Sequence, residues 1–173
     1  MNTLEYFRGA MKEEHKTLME AVRGLTDAQL HFRPLGVGNH IAFIIWHYSR
    51  TEDIMTNVFL QSKKPIWNVE GWDQKFEMDA RSQGTGMTPE QAAAIRIKDL
   101  TEFLKYTETV FRSSEAFLDT TKEDSLDEIR DFSVIGKRSV RQVIGGIVLH
   151  HAAGHLGEIW YAKGLQGLKG SPI

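Results

Sequence analysis

The sequence predicts an all-α protein, a four-helix bundle, from three observations. Four long segments each open with a recognisable helix start signal, and apolar residues recur within them at spacings of three and four. Helices of about 20 to 30 residues span roughly 30 to 45 Å, a length that suits a bundle. Two long connections, at 63–87 and 119–137, argue against simple up-down hairpins throughout.

The first predicted helix begins after Asn2, with Glu5 three residues on in capping-box spacing. Its apolar stripe comprises Leu4, Phe7, Met11, Leu18 and Val22, and Gly24 lies near its end. Thr26 and Gln29 have the spacing of a second capping box, which predicts a short helical turn that closes before Pro34.

The other three helices are bounded by similar signals. Asn39 is the predicted N-cap of a helix that reaches about Gln61. A third helix is predicted from Thr88, which precedes a proline, to roughly Leu118. The connection that follows is polar, with a candidate extended segment at 131–135. Ser139 opens the fourth helix, which continues to about Lys163 with Gly164 as its C-cap.

Composition limits the classes of function. The 173 residues fit a single domain, 1–173, with 41% hydrophobic and 25% charged residues and a net charge of −2. No basic run supports binding to nucleic acid or to an anionic membrane surface. There are no cysteines, which excludes disulfides, cysteine-based zinc sites and cysteine nucleophiles. No signal peptide or membrane-spanning stretch is visible, so we expect a cytoplasmic protein.

Two histidines lie one turn apart in the fourth helix. Its predicted buried face comprises Val140, Ile144, Ile147, His151, His155, Ile159 and Ala162. His151 and His155 are then about 40° apart in projection, in the middle of the apolar stripe. Burying two imidazoles without partners would cost on the order of a few kcal/mol, a penalty that a shared metal ion removes. The alternative is a pair of core histidines bonded to side chains or water. Ala152 follows His151, so the motif is not HExxH.

His47 is the third candidate ligand. Apolar residues surround it in the second helix, at Phe43, Ile44, Ile45 and Trp46, so this part of the helix must be buried. A lone histidine there would be an ordinary core residue, but metal sites in bundles draw side chains from facing helices. Three histidines without a fourth protein ligand leave an open position for water or substrate, as in catalytic sites.

Other residues are weaker candidates for the metal site. Glu158, three residues after His155, is a possible fourth ligand, catalytic base or orienting acceptor, with a surface glutamate as the alternative. His40 lies two turns before His47 on the same face. His15, His31 and His150 are interpreted as solvated or peripheral, and Glu52 and Asp53 as solvated or helix-pairing charges. Glycines within the fourth helix predict close approach of another helix: Gly145, Gly146, Gly154 and Gly157.

These residues resemble the DinB-like superfamily, a group of metalloproteins that includes YfiT-type proteins. One block runs from Arg33-Pro34 through Asn39 and Ile45-Trp46-His47 to Arg50-Thr51-Glu52-Asp53. The other runs from His150 to Ile159 and on to Gly164-Leu165-Gln166-Gly167-Leu168. The resemblance implies an up-down-down-up bundle, usually homodimeric, in which His47, His151 and His155 bind a divalent ion such as Zn, Ni, Mn or Fe.

The resemblance also implies possible activities. Characterised members include S-transferases and isomerases that use a low-molecular-weight thiol such as mycothiol, bacillithiol or glutathione. We therefore expect a metal-dependent enzyme acting on a small molecule, either a thiol-dependent S-transferase or a hydrolase. The alternative is a non-catalytic metal- or ligand-binding stress-response protein. Trp46, Trp67, Trp72 and Trp160 are candidates to line an apolar substrate pocket or to pack in the core.

Overall fold

A computed structural model of the protein describes residues 2–132 and 135–171. Helix α1 spans Thr3–Val22, and Asn2 and Glu5 form the predicted capping box at its start. Helix α2, Asp27–Leu30, begins with the predicted box between Thr26 and Gln29. Both predicted helix starts are thus confirmed. The sequence could show them because capping bonds are local and need no tertiary partner. A 3₁₀ turn at Pro34–Gly36 follows.

Helix α3 spans Ile41–Glu52 and continues as a π-helix over Asp53–Leu60. The prediction of Asn39 as its N-cap is wrong by one residue. The cap is His40, whose backbone is extended and whose Nδ1 accepts a hydrogen bond of 3.0 Å from the amide of Phe43. An imidazole nitrogen thus does what an asparagine oxygen would do, and the helix starts one residue later.

The connection at 63–87 contains two short helices, α4 at Ile66–Val69 and α5 at Trp72–Phe76. Helix α6, Pro89–Ala94, begins at the predicted capping box. The predicted unbroken helix to Leu118 is wrong, because the chain is extended at Ile95 and restarts as α7, Leu100–Thr120, with Asp99 as a new N-cap. The break places Ile97 in the core, 1% exposed.

Helix α7 is followed by a 3₁₀ turn at Glu123–Asp127 and an antiparallel hairpin, β1 at Ile129–Phe132 and β2 at Gly136–Ser139. The predicted extended segment at 131–135 is thus partly in β1, and Ser133 and Val134 lie outside the described residues. The last bundle helix comprises α8, Val140–Gln142, a π-helix over Val143–Leu149, and α9, His150–Gly164. Its C-cap is Leu165 rather than Gly164, and the left-handed glycine is Gly167.

The long helices pack in an up-down-down-up arrangement. Helices α1 and α7 run antiparallel, whereas α1 runs parallel to α9, and α3 runs parallel to α7. Two contacts along each pair of helices show these directions. They join Arg8 to Leu118 and Arg23 to Glu108, Thr3 to Arg141 and Ala21 to Lys163, and Ser49 to Thr107 and Thr56 to Ser114. No helix in the described part of the chain is long and apolar enough to cross a membrane.

The core forms two clusters of buried apolar side chains. One surrounds Trp46, Trp67 and Tyr106, and the other lies between α1, the two π-helices and the end of α7. Close helix approach is confirmed only at Gly145, where an added Cβ would lie 3.3 Å from Phe7. Among the described residues of this chain, no other helix approaches Gly146, Gly154 or Gly157, where a Cβ would meet no atom within 4 Å.

A buried charge cluster joins α1, α3 and α7. His15 is 4% exposed rather than solvated, and its ring stacks on Phe111. Its Nε2 lies 3.0 Å from Oε1 of Glu52, and its Nδ1 lies 2.7 Å from Oε1 of Glu115. Glu52 is also buried rather than solvated, and its carboxylate accepts a hydrogen bond from the hydroxyl of Tyr48. The interpretation of His15 as solvated is therefore wrong, whereas Glu52 is the helix-pairing charge of its two alternatives. The partners of both residues come from distant parts of the chain.

Burial opposes protonation of His15, but the carboxylates of Glu52 and Glu115 outweigh it and raise the pKa of His15 to about 9. Burial would raise the pKa of Glu52, yet the charge of His15 and hydrogen bonds hold it below its ordinary value. The two groups therefore form an ion pair at neutral pH. Replacing either His15 or Glu52 by a neutral residue would leave the charge of the other uncompensated inside the protein.

We expect His15→Gln to lower the free energy of unfolding by about 3–5 kcal/mol, because it leaves the carboxylate of Glu52 buried without a cation. Chemical denaturation at pH 7 measures the change. His150→Gln is the matched control, since His150 is exposed, and it should have little effect. Equal destabilisation of the two variants would contradict the role of the buried pair.

The same pair predicts a pH dependence of stability. Because the pKa of His15 is raised from 6.5 to about 9, its contribution is complete below pH 6.5 and is lost as pH rises through 9. The lowered pKa of Glu52 acts oppositely, so its contribution is present above 4.5 and is lost in acid. The decline between pH 6.5 and 9 should be absent from His15→Gln.

Candidate metal centre

Three histidines from two facing helices converge. His47 lies on α3, and His151 and His155 lie one turn apart on α9. Nε2 of His151 is 3.2 Å from Nε2 of His47 and 2.8 Å from Nε2 of His155. One ligand atom from each of the three residues lies within 4.8 Å of the others. The structure thus brings together the three residues that the sequence analysis selected, in a group that could bind a metal ion.

The group lies at the rim of the core. The helix that carries His151 and His155 buries Ile144, Val148, Ala152 and Leu156 at a constant spacing of four, instead of Ile147 and the two histidines. The π-helix at Val143–Leu149 causes the shift, because its wider turns change the face that later residues present. The two histidines are therefore half-buried, and the side chain of His155 is 14% exposed.

Hydrogen bonds set the proton positions of two of these rings. Nδ1 of His47 donates to the backbone carbonyl of Gln83, which can only accept. Nδ1 of His155 lies 2.8 Å from Oε2 of Glu158 and donates to this carboxylate. When both rings are neutral, each Nε2 is left with a lone pair. This is the protonation state that a metal ligand requires.

The lone pairs on the Nε2 atoms of these histidines repel one another unless a cation lies between them. Nε2 of His151 faces lone pairs on both His47 and His155, and a single N–H on that atom can satisfy only one. Two nitrogens at 2.0–2.1 Å from a tetrahedral ion lie about 3.3–3.4 Å apart, a few tenths of an ångström more than the observed separations. The donor set therefore fits a divalent ion with small movements of the side chains.

Burial disfavours the charged forms of His47 and His151. Burial lowers the pKa of His47, and burial together with the neighbouring histidines lowers the pKa of His151 to about 4. The hydrogen bond from His155 holds the pKa of Glu158 below its ordinary value, so the carboxylate is ionised at neutral pH. Within the described residues, Nδ1 of His151 has no hydrogen-bond partner. It is the one ring whose tautomer the protein does not set.

The remaining histidines lie elsewhere. His40 caps α3, and its Nε2 contacts the carbonyl of Ala93 at 3.4 Å, so it is not in the group. His31 accepts from the amide of Ile97 at 3.2 Å, and its ring packs edge-on to that of His40. His150 is exposed, as expected for a peripheral residue.

The tryptophans mainly pack in the core. Trp46, Trp67 and Trp72 are buried and Trp160 is half-buried. Trp46 also borders a cavity of about 290 Å³ between α3 and the 63–87 connection, together with Phe76, Met78, Met87 and Ile95. Within the described residues, the lining of this cavity does not include the three histidines.

The sequence analysis missed the contribution of the connection at 63–87. Gln83 contributes its backbone carbonyl to His47, and Gly84 packs directly against the same ring. A backbone carbonyl has no signature in the sequence, since any residue could provide it. The glycine was visible, but only the structure shows which side chain it faces.

The comparisons with known proteins concern the family and the fold. No curated protein matches the chain. The fold is similar to the crystal structure of a conserved protein from Enterococcus faecalis, with a TM-score of 0.81 and 22% identity over 95% of this chain and 97% of that one. Residues 10–159 match the DinB superfamily. Because this match covers most of the sequence, the chain belongs to the DinB superfamily.

Proposed function

We propose that the protein is a metal-dependent enzyme whose ion is held by His47, His151 and His155. The observation that supports this most directly is the convergence of three Nε2 atoms, two of which are held as lone pairs by acceptors on Nδ1. A set of three neutral imidazoles leaves a coordination position for an exogenous ligand. Of the ions that the resemblance implies, Zn, Ni and Fe suit imidazole ligands, whereas Mn favours oxygen ligands.

A thiol-dependent S-transferase is the activity that this site supports best. The ion would lower the pKa of a small-molecule thiol in the open position and so supply a thiolate at neutral pH. The chain has no cysteine, so the nucleophilic sulfur must come from outside. The sulfur forms a bond to an electrophilic carbon, the leaving group departs with its bonding electrons, and the thiol proton passes to solvent.

Glu158 favours the transferase over the hydrolase. A hydrolase would need a base near the open position, and Glu158 was the candidate. Its carboxylate instead binds Nδ1 of His155, on the side of the ring opposite to the converging Nε2 atoms. Its role in this proposal is to orient His155, as acceptors on ligating histidines commonly do. A cytoplasmic location, where small thiols are kept reduced, is part of the proposal.

We expect the purified wild type to bind about one divalent ion per chain, as a single three-histidine group implies. His151→Ala should lose most of the bound metal, because it removes the ligand that lies between the other two. Elemental analysis after dialysis measures the content. His150→Ala removes the adjacent exposed imidazole and should keep its metal. Equal metal content in wild type and His151→Ala would refute the assignment.

The transferase activity is tested by conjugation of chlorodinitrobenzene or monobromobimane to glutathione, bacillithiol and mycothiol in turn. We expect the metal-loaded protein to react with one of these thiols. The activity of His47→Ala should fall by about 100-fold or more, because loss of a positioned electrostatic stabiliser has effects of this size. His150→Ala should remain active.

The absence of reaction above background with all three thiols would remove the support for S-transfer. If the same protein still carried one ion per chain, the non-catalytic metal-binding role would become the better proposal. The metal measurement and the activity measurement therefore separate the two functions.

We also propose that the protein is a homodimer that pairs through the outer face of α9. Gly154 and Gly157 lie open on this face and allow close approach of a second helix. Tyr161 is 68% exposed and Leu165 is 48% exposed on the same side of the helix. An isologous contact would bury these side chains against their copies.

Light scattering at micromolar concentration should therefore give twice the mass of one chain. Tyr161→Glu should shift the mass to that of a monomer, because it places a charge in the centre of the contact. Tyr6→Glu is the matched control, since Tyr6 is also exposed but lies on α1. A monomer mass for the wild type would contradict the proposal.

A further inference from the structure

The start of the 63–87 connection is anchored to α3 by Asp53. This carboxylate is fully buried, and it accepts hydrogen bonds of 3.0 Å from the amides of both Ile66 and Trp67 at the start of α4. The hydroxyl of Tyr106 donates to it at 3.1 Å. Asp53 is thus buried rather than solvated, and it fixes the connection against the bundle.

The end of the connection is held by Arg50. Its guanidinium is 1% exposed, lies 3.5 Å from the carboxylate of Asp53 and stacks 5.0 Å from the ring centre of Trp67. Its Nε donates to the carbonyl of Ser82 at 3.2 Å, and its Nη2 donates to the carbonyl of Ala80 at 3.3 Å. These bonds fix the backbone immediately before Gln83, whose carbonyl contacts His47.

Gly84 allows this backbone to reach the histidine. Its φ of +94° is a conformation that glycine adopts without strain. A Cβ at this position would lie 3.1 Å from Nδ1 of His47 and 3.0 Å from Cζ3 of Trp46. A side chain at this position would therefore crowd His47 and Trp46, and we expect the resulting shift to lengthen the hydrogen bond between His47 and the carbonyl of Gln83.

We propose that Arg50 and Gly84 are positioning residues for His47, which act through the carbonyl of Gln83 to keep the proton on Nδ1 and the lone pair on Nε2. The tautomer of a neutral imidazole is set by the hydrogen bond that its other nitrogen makes. Arg50 directs the carbonyl, and Gly84 removes the obstacle to its approach. The value of this tautomer for metal binding rests on the proposed function, whereas the tautomer itself does not.

The test compares Gly84→Ala with Gly86→Ala. Gly86 lies in the same connection with a φ of +79°, but a Cβ there would meet no atom within 4 Å. Both substitutions strain a left-handed backbone, and only the first contacts His47. Nitrogen-15 NMR of the metal-free protein reports which ring nitrogen carries the proton, and the His47 signals are assigned by their loss in His47→Ala.

We expect His47 to be protonated on Nδ1 in the wild type and in Gly86→Ala, and to shift toward protonation on Nε2 in Gly84→Ala. The affinity for Co²⁺ or Zn²⁺ should fall about 10–100-fold in Gly84→Ala alone, the usual effect of losing an acceptor behind a ligand. Arg50→Lys keeps the charge beside Asp53 but cannot donate to both carbonyls, so it should shift the tautomer in the same direction.

The proposal is overturned if His47 has the same tautomer in wild type and Gly84→Ala, or if both alanine variants change it equally. The NMR measurements of the tautomer need no bound metal. If the wild type binds no metal but the tautomer responds only to Gly84→Ala and Arg50→Lys, the metal function fails and the positioning role stands.

Discussion

The burial of α3 is the constraint on which the rest of the structure depends. Every residue from Ile41 to Asp53 is buried except His47, which is half-buried. The charged side chains and the imidazole on this helix therefore need partners inside the protein, because a buried unpaired charge or imidazole is costly. Glu52 pairs with a histidine of α1, and Asp53 accepts hydrogen bonds from backbone amides of the 63–87 connection. His47 contacts a backbone carbonyl and two imidazoles. The helices and the connection are arranged around these requirements.

The features that the sequence predicted are those that depend on local spacing. Capping boxes at Thr26 and Ser139 involve residues three apart, and the pair His151 and His155 is visible from the helical period. His15 was misjudged because its charged sequence neighbours suggested solvent, while its real partners are 37 and 100 residues away. The break between α6 and α7 was also hidden, since only packing shows that Ile97 must turn into the core.

The charge cluster and the histidine group both lie on α3 but have different roles. Tyr48 lies between them, with its hydroxyl on Glu52 and its ring centre 6.0 Å from that of His151. Stability rests on Glu52, Asp53 and their partners, whereas the three converging imidazoles add an unresolved conflict of lone pairs. The charges of Glu52 and Asp53 have their partners in place, whereas Nδ1 of His151 has none within the described residues.

The π-helix at Val143–Leu149 determines which face of α9 points toward the bundle. A residue contributes about 100° of rotation in a regular helix, so deleting one residue between Ser139 and His151 would turn both histidines away from α3. The rotation of α9 about its axis therefore decides whether His151 and His155 face His47. An insertion or deletion there would separate the imidazoles of α9 from His47 even where all three histidines are retained.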